Sequence, residues 1–199
     1  MKHFNIFRGS VLTLLLICCN AVWAYDIEVD GIYYNIRSAA NLWVEVTSGD
    51  KEYSGDIVIP STITYNSRTL TVTYIGDSAF KGYSNLTSIN IPNSVTDIGD
   101  SAFVGSFNLT SINIPNSVTD IRDSAFEGCY SLRSIEIPNS VKIIENGVFK
   151  DCIGLRSLTI PNSITDIRDS AFEGCYRLTS IETPNSVKSI GSYAFKGCI

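Results

Sequence analysis

Apolar and polar residues follow one pattern that returns every 23 residues along most of the chain. Within a period, Ile89 and Ile91 alternate with polar residues, as in a short strand with one buried face. A Pro-Asn-Ser turn follows, and Ala102 and Phe103 then return apolar side chains to the core from a predicted helical turn. No single period can bury these residues alone, so stacked periods must share one core. The pattern therefore predicts a mainly β repeat solenoid of 23-residue coils, with short helical turns on its convex side.

Three residue types mark the period. Phenylalanine recurs at Phe80, Phe103, Phe126, Phe149, Phe172 and Phe195. Proline recurs at Pro92, Pro115, Pro138, Pro161 and Pro184. Cysteine recurs at Cys129, Cys152, Cys175 and Cys198. Such recurrence is typical of an array in which equivalent side chains stack from coil to coil.

Residues 1–24 have the pattern of a secretory signal peptide. Lys2 and Arg8 precede an apolar run that ends in the small residues Val22 and Ala24. The run is short for a transmembrane span, which needs about 20 residues. We therefore expect cleavage before Tyr25, a secreted or cell-surface protein, and no membrane span in the mature chain.

Two regions follow the signal peptide. Residues 25–53 alternate in polarity around Asp30-Gly31, which is typical of a hairpin, and predict an N-terminal β cap. Residues 54–199 form the solenoid, with a hairpin insertion in the early coil at about 64–74. The last coil is incomplete, so its apolar residues would be exposed. This predicts end-to-end self-association, or else a chain that is a fragment.

The repeat "LTSINIPNSVTDIGDSAFVG" resembles the repeats of BspA-like leucine-rich repeat proteins, which are bacterial surface and secreted proteins. The lead-in "YDIEVDGIYYNI", followed by "YSGDIVIPSTIT", is also similar to that family. The resemblance covers about residues 25–199. It implies a leucine-rich repeat solenoid, export, and adhesion or binding of host proteins. It carries no catalytic residues over to this chain.

The cysteine column allows three interpretations. Equivalent residues in neighbouring coils are expected to lie at strand spacing, about 4.8 Å, which a disulfide tolerates. Buried thiols lining the core are the preferred interpretation, because the equivalent positions hold Tyr83 and Ser106 in earlier coils. One or two disulfides remain an alternative in an exported chain, and metal binding is a weaker one.

The residue inventory restricts the chemistry. His3 is the only histidine and lies in the signal peptide, so the mature chain cannot use a histidine-dependent triad. No phosphate loop or nucleotide fingerprint is present, and we expect no cofactor, metal or catalytic residue. A net charge of −5 without a basic run argues against nucleic acid as a partner.

Carboxylates recur in two further columns. They are Asp97, Asp120 and Asp166, and Asp100, Asp123 and Asp169. Paired carboxylates can hydrolyse glycosides, so a sugar-active solenoid enzyme is an alternative function. An active site, however, needs unlike residues that converge at one place, whereas these are the same residue in coil after coil. Helix capping and solvent exposure are the preferred explanation.

Two charged columns alternate in sign. One is Glu127, Lys150, Glu173 and Lys196, and the other is Arg122, Glu145 and Arg168. Opposite charges on neighbouring strands stabilise their pairing by about 0.2–1 kcal/mol each. We therefore expect these columns to favour the correct stacking register.

The outward side chains of the strands form the candidate ligand face. They are Ser88, Asn90, Ser111, Asn113, Arg133, Ser134, Glu136, Arg156, Ser157, Thr159, Ser180 and Glu182. The charges on this face vary from coil to coil while the core hardly changes, as expected of a binding surface. The sequence thus predicts an exported, non-catalytic module that binds a protein or glycan, with a structural spacer or adhesin fragment as the alternative.

Overall fold

The computed structural model describes residues 25–198, which form strands and turns without a helix. The thirteen strands are β1 Ile27–Val29, β2 Ile32–Ser38, β3 Trp43–Thr47, β4 Gly55–Val58, β5 Thr62–Tyr65, β6 Arg68–Ile75, β7 Leu86–Asn90, β8 Asp97–Ile98, β9 Ser111–Asn113, β10 Asp120–Ile121, β11 Ile143–Ile144, β12 Asp166–Ile167 and β13 Ser189–Ile190. The predicted signal peptide lies outside the described residues. No helix in the described part is long and apolar enough to cross a membrane.

The N-terminal strands extend one sheet of the repeat array. Strands β1, β2 and β3 pair antiparallel in that order, and β1 and β2 join at Asp30-Gly31. Both turn residues have positive φ, 50° and 79°, as a tight hairpin requires. Strand β3 then pairs parallel with β6, β6 with β8, and β8 with β10. The N-terminal region therefore continues the sheet of the first coils.

Residues 62–75 form a hairpin within the early coil. Strands β5 and β6 pair antiparallel around Asn66 and Ser67, whose φ angles of 49° and 60° match a two-residue turn. Strand β5 pairs only with β6 among the described strands. Strand β6, in contrast, is internal to the sheet between β3 and β8. The hairpin is thus anchored in the array by one of its two strands.

Neighbouring coils meet along up to three ladders of backbone hydrogen bonds. The strand ladder pairs β4 with β7 and β7 with β9, with Ser88 opposite Ser111. The bridge ladder pairs β8 with β10, with Asp97 opposite Asp120. Both ladders are parallel, and the pairs β7–β9 and β8–β10 join residues 23 positions apart. Equivalent residues therefore stack directly above one another.

The third ladder, here called the turn ladder, replaces the predicted helical turns. In residues 101–105, the N–H groups of Ser101 and Phe103 donate to the carbonyls of Asp123 and Ala125 in the next coil, at 2.9 and 2.8 Å. Alternate amides thus point along the array and cannot make the bonds of a helix. Ser101 also has φ of 56°, in the left-handed region, which breaks a helical path. The helical prediction was wrong for this reason.

The phenylalanine column forms a stack of rings through the core. Successive centroids from Phe80 to Phe172 lie 5.0, 5.2, 5.7 and 5.4 Å apart, and Phe195 follows at 5.4 Å. Neighbouring rings are within 16° of parallel. The rings from Phe80 to Phe172 are almost fully buried. They supply apolar burial and aromatic contact in every coil.

Two of the three ladders are interrupted at the seam, the boundary between residues 109–131 and residues 132–154. Strand β9 is the last strand of its sheet and β10 the last of the N-terminal sheet, while β11 begins a new sheet with β12 and β13. The turn ladder alone continues. Across the seam the Ser124 and Phe126 N–H groups donate to the Asn146 and Val148 carbonyls at 2.8 and 2.9 Å.

A change in side-chain chemistry accompanies the seam. Ile143 stands where the two preceding coils have Asp97 and Asp120. Its side chain is half-buried and lines a small apolar recess together with Ile121 and Val141. The isoleucine therefore turns inward at a position where the other coils carry a polar group.

Candidate ligand-binding face

The structure exposes the predicted face and divides it into two patches. The exposed positions are Asn90, Ser111, Asn113, Arg133, Ser134, Glu136, Arg156, Ser157, Thr159, Ser180 and Glu182, and Ser88 is half-buried. Ser88 pairs with Ser111, and Ser134 with Ser157 and Ser157 with Ser180, but no pairing in the described chain joins Ser111 to Ser134. The face is therefore not one continuous column. Positions up to Asn113 form the N-terminal patch, and positions from Arg133 form the C-terminal patch.

The polar groups of the N-terminal patch bond to one another. The Asp56 carboxylate accepts hydrogen bonds from the hydroxyls of Thr87 and Ser88 at 2.8 and 2.6 Å. The Ser88 and Thr87 bonds hold the pKa of Asp56 below its usual range. Asn113 donates to the side-chain carbonyl of Asn90 at 3.3 Å. Sequence analysis missed Asp56, although "DIVIP" aligns it with the strand positions of later coils.

The C-terminal patch carries charges that the protein itself does not neutralise. Arg133 and Arg156 occupy the same position in adjacent coils, and the Arg156 N–H donates to the Arg133 carbonyl at 3.2 Å. Within residues 25–198, no hydrogen bond or ion pair engages the side chains of Arg133, Glu136 or Arg156. Their hydrogen-bonding capacity is available to a ligand.

Charged columns elsewhere are paired from coil to coil. Lys150 Nζ lies 3.0 Å from Glu127 Oε1, and Lys196 Nζ lies 2.8 Å from Glu173 Oε1. The Glu127 hydrogen bond and charge raise the pKa of Lys150, and the Lys196 hydrogen bond lowers the pKa of Glu173. These contacts fit the expected contribution to stacking register, which double-mutant analysis would measure.

Several aspartates of the recurring columns accept hydrogen bonds from the next coil, and the described residues contain no helix for them to cap. Asp77 Oδ1 accepts the Asp100 N–H at 2.9 Å, and Asp169 Oδ1 accepts the Ser192 N–H at 2.7 Å. The hydroxyl of Ser189, more than that of Thr165, lowers the pKa of Asp166. A glycosidase acid needs the opposite shift. Helix capping was therefore wrong as the explanation, because Asp123 and Asp169 accept backbone N–H groups of the next coil and the other column accepts threonine hydroxyls. The expected solvent exposure holds for Asp100, Asp120, Asp123 and Asp169.

The cysteine column consists of unpaired thiols that hydrogen-bond to the core backbone. Cys129 and Cys152 are fully buried, and each Sγ donates to a phenylalanine carbonyl of the preceding coil, at 3.2 and 3.1 Å. Ser106 makes the equivalent bond from its hydroxyl, at 2.7 Å to the Phe80 carbonyl. In these coils the position is therefore occupied by a small side chain that donates a hydrogen bond to the core backbone. Metal-binding clusters of His, Cys, Asp or Glu are absent from the described residues.

Cys129, Cys152 and Cys175 are expected to resist a thiol reagent in the native protein, while Cys198 reacts first. Burial raises the pKa of Cys129 and of Cys175 to about 12, so almost no thiolate is present at neutral pH. Cys198 is only half-buried. Alkylation followed by peptide mass spectrometry would locate the modified residues. Failure of denatured, unreduced protein to react at these four positions would instead indicate disulfides.

A short column of exposed apolar side chains borders the face. Phe107, Tyr130 and Tyr176 are 43%, 45% and 56% exposed. The rings of Phe107 and Tyr130 stack at 4.9 Å between centroids, in adjacent coils. Lateral packing thus explains one contact of this column, yet its outer surface remains open to solvent.

Comparison with known proteins agrees with this architecture. Residues 73–199 match the family model described as BspA type leucine rich repeat region, in six copies. The match covers more than half of the chain. No curated protein matches.

Several solved structures are similar to this chain. The T. pallidum leucine rich repeat protein TpLRR is 29% identical, with 84% of this chain and 86% of that chain covered and a TM-score of 0.66. A leucine rich cell surface protein from Faecalibacterium prausnitzii is 29% identical, with coverage of 90% and 53% and a TM-score of 0.67. The pneumococcal vaccine antigen PcpA is 26% identical, with coverage of 86% and 47% and a TM-score of 0.69. This chain spans about half the length of the latter two.

Proposed function

The chain belongs to the BspA-type leucine-rich repeat family, and from that premise we propose that it is an exported interaction module that binds a protein or glycan ligand through its strand face. Members of this family are generally interaction modules without catalytic activity. Adhesion at a cell surface is the biological role that fits best. The similarity to a leucine rich cell surface protein supports the location.

The proposal rests on a difference in side-chain hydrogen bonding between the two patches. Polar side chains of the N-terminal patch bond among themselves, as Asp56 does with Thr87 and Ser88. In the C-terminal patch, Arg133, Glu136 and Arg156 are exposed and make no side-chain bond within the described residues. Exposed charges without partners contribute little to folding, so their presence in an otherwise regular array favours a role in binding.

Replacing Arg133, Glu136 and Arg156 together by Thr, Asn and Thr should weaken ligand binding without unfolding the protein. Other coils hold these residues at the same positions. Each exposed change should alter the free energy of unfolding by no more than about 0.5 kcal/mol. A matrix-protein and glycan array would identify the ligand, and surface plasmon resonance would show faster dissociation from the variant.

An N-terminal site would give a different result. If the triple variant keeps full affinity, and trimming the hairpin at 64–74 removes binding, the ligand site lies at the hairpin. Thermal unfolding of both variants must first show a folded protein.

A further inference from the structure

Two arginines occupy equivalent positions in adjacent coils, whereas two other charged columns pair opposite charges. Glu127 faces Lys150 across adjacent coils, and Glu145 faces Arg168. Arg133 and Arg156 hold equivalent positions in adjacent coils, and both are exposed without an ion pair in the described chain. Like charges at directly opposed strand positions are destabilising. The pair thus differs from the two columns that alternate in sign. It also differs from the stacked aspartates Asp97 and Asp120, whose carboxylates accept threonine hydroxyls.

An anionic ligand would remove that repulsion. Coil spacing places the two backbones about 4.8 Å apart, so both guanidinium groups can reach one anionic group or two neighbouring ones. Guanidinium groups bind planar and tetrahedral oxyanions through two parallel hydrogen bonds. Arg177 is also exposed and adds a third positive charge two residues before Thr179, which is the equivalent of Arg156 in the next coil. Because these positive charges lie on successive coils, a ligand that contacts all of them must be an anion that extends along the array.

The surroundings of the arginines discriminate between kinds of polyanion. Glu136 lies exposed in the coil of Arg133, and Glu182 lies exposed at the equivalent position two coils later. Both would repel an anion whose charges are closely spaced. Their oxygens accept hydrogen bonds from hydroxyl groups, and Ser134 and Ser157 add hydroxyls that donate and accept. A polysaccharide offers both anionic groups and neutral hydroxyls. An acidic peptide does not offer such hydroxyls.

Exposed aromatic side chains border the same edge. Tyr130 precedes Arg133 by three residues, and Tyr176 adjoins Arg177. Both rings are about half exposed. Tyrosine combines apolar ring surface with a polar hydroxyl, which suits a ligand that has apolar faces and polar edges.

We propose that Arg133 and Arg156 bind the acidic groups of a linear sulfated polysaccharide that lies along the C-terminal patch. This inference rests on the proposed interaction role and names the ligand class. Arg177 extends the positive edge, and Glu136 and the serines bind hydroxyl groups of the same chain.

Heparin is a suitable probe for the test. The protein is compared with R133T/R156T and with the control K142T/K188T. Both variants remove two exposed positive charges, and both introduce the threonine that other coils carry at the same position. We expect R133T/R156T to lower heparin affinity by about tenfold or more, because charge-assisted hydrogen bonds are lost. We expect the lysine variant to stay within about twofold, since it retains those bonds. Calorimetry measures the affinities, and thermal unfolding confirms that all three proteins are folded.

If heparin binds, three outcomes would overturn the inference. They are equal losses in the two variants, undiminished binding of desulfated heparin, and competition by poly-glutamate as strong as that by heparin. Absence of heparin binding would also overturn it. In that case the proposed interaction role would still stand if an array ligand were lost from the triple variant, so the two failures are distinguishable.

Discussion

Replacing Phe126 by alanine is expected to lower the free energy of unfolding by about 3–5 kcal/mol. Phe126 is completely buried, and its ring stacks between Phe103 and Phe149 at 5.2 and 5.7 Å. Removing the ring leaves a cavity and ends two aromatic contacts at once. The turn ladder fixes the backbone on that side, because the Phe126 N–H bonds to the Val148 carbonyl, so the cavity cannot easily collapse. Urea unfolding monitored by circular dichroism would give the difference.

Phe107 provides the matched control for that experiment. It stacks on Tyr130 but is 43% exposed, so replacement by alanine removes less buried surface. We expect a loss of about 1 kcal/mol. Equal losses at the two positions would contradict the view that the buried column holds the array together.

Adding one methyl group at Gly154 is expected to destabilise the protein by about 2–3 kcal/mol. A Cβ at this position would lie 2.4 Å from the Tyr130 carbonyl oxygen and 3.0 Å from that of Leu132. Both are backbone atoms, so no side chain can move aside to make room. The coil that contains residue 154 would have to shift away from the preceding coil. Thermal and urea unfolding of Gly154→Ala would measure the effect.

Ser131 is the natural comparison because it holds the equivalent position one coil earlier. It already carries a Cβ and is only half-buried. Replacement by alanine should change the free energy of unfolding by no more than about 0.5 kcal/mol. A Gly154→Ala variant as stable as the unmodified protein would show that the two coils separate more easily than their contacts indicate.

Periodicity made the repeat fold predictable from the sequence. Phenylalanine and isoleucine recur at fixed steps, and an apolar residue at a fixed step can be buried only by stacking. The family assignment was confirmed, and so was the repeat fold built mainly of strands. The outward positions also followed from alternation, since Ser134 and Glu136 flank the buried Ile135. Their role in binding stays a prediction.

Features that depend on backbone direction were not predictable from periodicity. The prediction of helical turns was wrong because the adjacent apolar residues Ala102 and Phe103 fit a helical turn and an irregular turn equally well. The sequence does not show that the amides of this turn point to the next coil. The division of the face was missed for a similar reason. Ile143 is visible in the sequence as a departure from aspartate, but only the structure shows that two ladders stop there.

The seam makes the coupling between neighbouring coils unequal along the chain. In a one-dimensional array, stability is a sum of the intrinsic terms of each repeat and the terms between adjacent repeats. At the seam, backbone pairing is confined to the turn ladder, where the Asn146 N–H also bonds to Asp123 Oδ1 at 3.1 Å. We therefore expect a smaller nearest-neighbour term at this boundary than between coils that all three ladders join. We therefore expect the array to unfold as two cooperative blocks, with Arg133 and Arg156 of the strand face in the second block.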